Sequence, residues 1–112
     1  MKLSKNNSIY LEDFRARGSK IFTGRDRGKN VREASRIDEI ELNYDEVVIV
    51  IPDNIYSINP SFFEELFIND IEKLGKEGFL QKFKFISEGN YKFEKPLNEA
   101  IDRVSRYKTA ID

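Results

Sequence analysis

Side chains that could do chemistry gather in two short stretches. The first is Gly24-Arg25-Asp26-Arg27-Gly28-Lys29-Asn30-Val31-Arg32, two glycines and four cations at the start of a helical pattern in which Val31, Ala34 and Ile37 recur every three residues. A glycine-rich turn running into a helix can hold an anion on its free backbone N–H groups. Arg25, Arg27, Lys29 and Arg32 are therefore the candidate anion-binding residues, for phosphate or nucleic acid. A nucleotide P-loop needs four residues between its glycines and a hydroxyl residue after the lysine. Here three residues separate Gly24 from Gly28, and Asn30 stands at the hydroxyl position. Phe22 is the one nearby ring suited to base stacking, which weakens a single-strand-binding reading.

The second stretch is Ser57-Ile58-Asn59-Pro60-Ser61-Phe62-Phe63-Glu64-Glu65. It carries two overlapping helix-start signals. Asn59 can cap, with Pro60 at the first helical position. Ser61 with Glu64 matches the capping box, in which hydroxyl and carboxylate satisfy opposite orphan N–H groups. Ser57, Asn59, Ser61, Phe62 and Glu65 are the candidate partner-binding residues, with Ser61 and, second, Ser57 as candidate phosphoacceptors.

The chain has no His and no Cys. The commonest general base and metal ligand is missing, and disulfides and thiolate metal sites are excluded. Asp53, just beyond a strand, is the only tempting carboxylate, and a turn explains it more simply. No catalytic residue, metal or cofactor is assigned, and a non-enzyme is expected.

These stretches need elements to position them. Val47-Val48-Ile49-Val50-Ile51 is a continuous β-branched run, as in a strand covered on both faces. From Ser61 onward, Phe63, Leu66, Phe67, Ile71 and Leu74 form one helical stripe. Phe62 and Ile68 lie off it, which points to a second contact or a partner surface. Gly75 stands where a helix would end. Phe79 to Ser87 reads as the last strand. Lys95-Pro96 opens a final helix whose stripe is Leu97, Ala100, Ile101, Val104 and Tyr107. Near the N-terminus, Ser8 to Leu11, extended by Phe14, and Lys20 to Thr23 read as strands joined into a hairpin, with Gly18 free to take positive φ in the turn. Asp38 to Glu46 reads as a solvated acidic connector.

The chain is 112 residues long, one domain's worth, with 35% charged residues and nine Phe. Its net charge of −1 is segregated: residues 1–36 carry +6, residues 37–72 carry −10 without one Lys or Arg, and residues 73–112 carry +3. Either basic and acidic elements pack side by side, or a bipolar surface steers a charged partner. No apolar segment has the length of a membrane span, and no signal-peptide core is present. A cytoplasmic protein is expected, with residues 1–7 flexible.

The run V-V-I-V-I-P-D-N-I-Y-S-I-N-P-S-F-F-E-E-L-F resembles the STAS-like domains of unknown function of bacteria, distant relatives of the anti-sigma-factor antagonists. The resemblance covers roughly residues 9–107 and is most specific in S-x-x-P-S-F-x-E-E-L-F, Ser57 to Phe67. G-R-x-x-G-K-x-V-R also resembles that family's turn into its first helix. The resemblance implies an α/β fold: a single STAS-like domain over residues 8–112, with a four-stranded mixed sheet in the order β-β-α-β-α-β-α and helices packed on it. It implies a non-catalytic regulatory protein-interaction module whose partner is a signalling protein or a histidine-kinase-type ATPase. In the antagonist branch a Ser at this helix start is phosphorylated. Here Pro60 takes that position, leaving Ser61 or Ser57 to substitute.

Overall fold

The computed structural model describes residues 6–111, with side chains described as far as Arg106. It is a mixed α/β fold with four helices and five parallel strands. Strand β3, Val47–Ile51, is the centre of a three-stranded sheet. On one side it pairs in parallel with β1, Ser8–Tyr10, and on the other with β5, Phe83–Ser87. All five β3 residues are buried, as the uninterrupted β-branched run predicts. Ile9, Val47, Ile49, Ile51 and Phe83 point into the main core, with Phe85 packed against it, while Val48 and Val50 are buried outside it.

The expected N-terminal hairpin does not form. A 3-10 turn, Leu11–Phe14, carries the chain off the end of β1. Strand β2, Ile21–Phe22, then pairs in parallel with β4, Ser57–Ile58, as a separate two-stranded sheet. The single four-stranded mixed sheet is thus replaced by three strands plus two, all parallel. The reason lies in burial: β1 inserts Ile9 beside Ile49 in the core, which pairing with the short β2 at an edge would not achieve. Gly18 does adopt positive φ, as expected of that turn. Of the N-terminal segment expected to be flexible, residues 1–5 lie outside the described residues. Asn7 belongs to the fold, since its carbonyl accepts from Val48 N and its side-chain amide donates to Glu46 O.

Helix α1, Arg25–Ser35, ends at Arg36, whose left-handed φ of 59° breaks the chain before α2, Ile37–Asn43. This break turns Ala34 out to solvent while Val31 and Ile37 are buried. It also shows that the acidic connector is a helix, with Glu41 among the buried residues.

Helix α3, Pro60–Lys82, is two helices joined at Gly75, which has φ 73° and ψ 172°. The expected stop at Gly75 is therefore an elbow, and Phe79 to Lys82 are helical rather than strand. The elbow returns Phe79 onto Phe67, with ring centroids 5.1 Å apart. Phe67 also meets Phe63, Phe83 and Phe85 at 5.6 to 5.8 Å. Helix α4, Glu94–Ile111, closes the core with Leu97, Ala100, Ile101 and Val104. The expected place of Tyr107 on that stripe lies outside the described side chains. No described helix is long and apolar enough to cross a membrane.

Replacing Phe67 with Ala empties the junction of four other rings. It should lower unfolding free energy by about 3–5 kcal/mol, measured by urea denaturation. At Gly75 an added Cβ meets nothing within 4 Å, so Gly75→Ala isolates the backbone term. It should cost about 1–3 kcal/mol, because that region of φ/ψ is essentially open to glycine only.

Candidate functional site

Strands β2 and β4 run parallel, so both deliver the chain to the same end of their small sheet. There α1 and α3 begin, and the two stretches singled out in the sequence come together. Gly28 of α1 faces the first turn of α3: a Cβ on it would lie 2.5 Å from Phe62 O. The second glycine thus serves a helix crossing, not a phosphate loop. Phe62 itself is fully buried, 5.1 Å from Phe22. Its off-stripe position reports this second contact, which removes Phe62 from the partner-binding surface.

Charges interlock across the same crossing. Arg25 pairs with Glu64 at 2.9 Å and approaches Glu65 at 4.0 Å, and Arg32 pairs with Glu65 at 3.2 Å. Arg103 of α4 reaches Glu64 from its other side at 3.7 Å. Arg27 donates to Phe14 O. At this crossing the basic N-terminal third and the acidic middle third pack side by side. Lys29 remains exposed on α1, and Glu65 is occupied by the two arginines.

Asn59 is the cap of α3, its Oδ1 accepting from Ser61 N at 2.9 Å with Pro60 in the first turn. Ser61 Oγ donates to the same oxygen at 2.8 Å. The capping box is not formed, because Glu64 is turned toward Arg25 and Arg103. At α1 the corresponding position is Gly24, with φ 93° and no side-chain cap. Thr23, Gly24, Arg25, Asp26, Arg27 and Asn30 line a shallow concavity there.

Both outer edges of the small sheet are closed by hydroxyls. Ser19 Oγ accepts from Ile21 N and donates to Ile21 O, at 3.2 and 3.0 Å. The Tyr91 hydroxyl accepts from Ile58 N at 2.9 Å and donates to Ile58 O at 3.4 Å. Such blunting blocks addition of a further strand. Beside these closed edges two apolar side chains stand exposed: Tyr56 is 82% exposed and Ile21 47%, joined through the Tyr56 N to Lys20 O hydrogen bond and the Ile21–Ser57 pairing. Ser57 and Asn59 are exposed, and Ser61 is half-buried.

A second polar cluster lies where α2 meets α3, in residues the sequence reading passes over. Glu41 is 3% exposed and accepts from Lys73 Nζ at 2.6 Å and Lys82 Nζ at 2.7 Å. One carboxylate therefore grips α3 on both sides of the Gly75 elbow. Burial alone would raise its pKa, but the hydrogen bonds and charges of the two lysines outweigh this and hold it below its ordinary value of 4.5. Its contribution to stability is present above that value and is lost as pH falls through the lowered pKa. Asp70, 2% exposed, is pushed up to about 8, first by burial and then by the charges of Asp38 and Glu41. A signal for it exists in the sequence: Asp70 follows Leu66 by four and Phe63 by seven, inside the apolar stripe. Among the described residues no group of three or more His, Cys, Asp or Glu could hold a metal ion.

No family model, curated protein or solved structure matches the chain.

Asn59→Ala should destabilise the fold by about 1 kcal/mol through loss of the cap, while Ser61→Ala should cost under half of that. Equilibrium unfolding of the two variants checks which residue caps α3.

Proposed function

We propose that the protein is a non-catalytic regulatory interaction module that binds its partner through the side chains of the β4–α3 turn. Tyr56 is the observation that carries this reading: a large aromatic ring left 82% exposed beside the half-exposed Ile21, and the one exposed ring among the described residues. Exposed aromatic anchors of this kind dominate binding energy at protein interfaces. Ser57 and Asn59 extend the surface. Ser61 is its candidate phosphoacceptor, since a phosphoryl group there replaces the donor now facing Asn59 Oδ1 with an acceptor and adds charge at the turn. Because both strand edges are closed, recognition runs through side chains and not strand addition. The STAS-like reading, with a signalling protein or histidine-kinase-type ATPase as partner, rests on the sequence run from Ser57 to Phe67.

A second reading is favoured by the uncapped start of α1. Its first-turn N–H groups, with Arg27 and Lys29, form an anion-attracting end suited to phosphate or nucleic acid. The Asp26 carboxylate in the same first turn, and the pairing of Arg25 and Arg32 with carboxylates, weaken it.

Capture of partners from the native cells by tagged wild type, Tyr56→Ala and Ser61→Glu separates the readings. A stoichiometric protein held at moderate salt by wild type and lost with Tyr56→Ala, at unchanged far-UV circular dichroism, is the expected result. Equal recovery by the folded variant would remove Tyr56 from the surface. Recovery of nucleic acid that falls steeply as salt rises, and falls again with Arg27→Ala/Lys29→Ala, would support the second reading.

A further inference from the structure

We propose that Asp38 and Asp70 form a proton-sharing carboxyl pair that latches α2 onto α3, and that loss of the shared proton releases α2. Asp38 Oδ1 and Asp70 Oδ2 are both buried with no hydrogen-bond partner. They meet at one seam: Asn69, next to Asp70 on α3, is bonded to Asp38, and Asp38 acts on Asp70 both as a charge and as a hydrogen-bonding group. Two ionised carboxylates are acceptors only and repel. One proton between them turns an acceptor into a donor and satisfies the pair.

The neighbouring donors are already committed. Asn69 Nδ2 donates to Asp38 Oδ2 at 2.9 Å. Lys73, the cation that acts on Asp70, donates to Glu41, as does Lys82. From α2, Asp38 and Glu41 therefore face Asp70 with negative charge, and from α3 Lys73 gives only partial relief. On the outer side of Asp38, Arg32 and Glu33 of α1, Arg36 at the break between the helices and Glu39 of α2 line a concavity together with Asp38. Arg32 is tied to Glu65 and Arg36 to Glu39, so neither supplies a charge to the buried pair.

Asp70 titrates near 8 in the fold against an ordinary value of 3.8. Between those values the native chain holds a proton that the unfolded chain has released. The folding equilibrium constant should then fall by up to tenfold per pH unit across the window and level off above about 8. Above it, three carboxylates, Asp38, Glu41 and Asp70, stand against two lysines at the seam of a seven-residue helix. Helix α2 should therefore loosen before the sheet does.

The test uses the full chain. The carboxyl carbon of Asp70 is followed by NMR from pH 4 to 10, together with amide exchange protection factors for residues 37–43 and for β3. Asp70 titrating at 7 or above, with protection lost over residues 37–43 and retained in β3, is the expected result. Titration below 7, or protection of residues 37–43 unchanged across the transition, overturns the proposal. Urea unfolding of Asp70→Asn, whose amide supplies a permanent donor, adds a second check: its stability should lose the alkaline slope of the wild type. Parallel slopes would overturn the shared proton. Should that variant fail to fold, the wild-type titration and exchange decide alone.

Discussion

Phe67 is the point on which the architecture depends. It sits on α3 with Phe63 one turn before it, meets Phe83 and Phe85 of β5 edge-on, and receives Phe79 from beyond the elbow. Rings continue outward from it, through Phe62 to Phe22 on one side and through Phe85 to Phe93 on the other. Offset and edge-to-face contacts of this kind add specificity to the area they bury. The chain thus joins the small sheet, the long helix, the main sheet and the start of α4 through one aromatic line. Gly75 is what permits it, because a straight α3 would carry Phe79 away from Phe67.

Two polar seams keep that line in register. At the α1–α3 crossing, Gly28 allows close approach, and Arg25 and Arg32 pair with Glu64 and Glu65. Exposed pairs of this sort contribute modestly to stability. Their larger consequence here is to consume charges that the linear sequence offers as a binding surface. At the α2–α3 seam, Glu41 spans the elbow through Lys73 and Lys82, and Asp70 lies beneath it with Asp38. The first seam therefore decides which residues are left for a partner. The second makes the position of α2 sensitive to protonation.

Elements with a strong local period were legible. The β-branched run gave a buried central strand, and the Phe63 to Leu74 stripe gave the first half of α3. Asn59-Pro60 marked its start, and Leu97 to Val104 marked the buried face of α4. Misreadings arose where a local signal has two physical uses. Gly75 could stop a helix or bend one, and the choice came from the pull of Phe79 onto Phe67. Ser61 and Glu64 could close a capping box, but Arg25 and Arg103 offered Glu64 charged partners. Asp38 to Glu46 looked solvated because the seven-residue helix α2 that runs into it holds too few apolar positions to reveal a face, although Ile37, Ile40 and Glu41 share one.

By itself the sequence determined the α/β character, the central strand, the helix start at Asn59-Pro60 and the lack of His and Cys chemistry, because these depend on local period, capping and composition. Tertiary structure alone decided that the strands divide three and two, that all run parallel, that Phe62 is buried, and that the basic turn and the acidic helix start neutralise each other. Those outcomes depend on which distant surfaces meet. A chain of 112 residues encodes its local preferences within a few neighbours, but the pairing of Ile9 with Ile49, of Arg25 with Glu64 and of Asp38 with Asp70 is fixed only when one core must be filled.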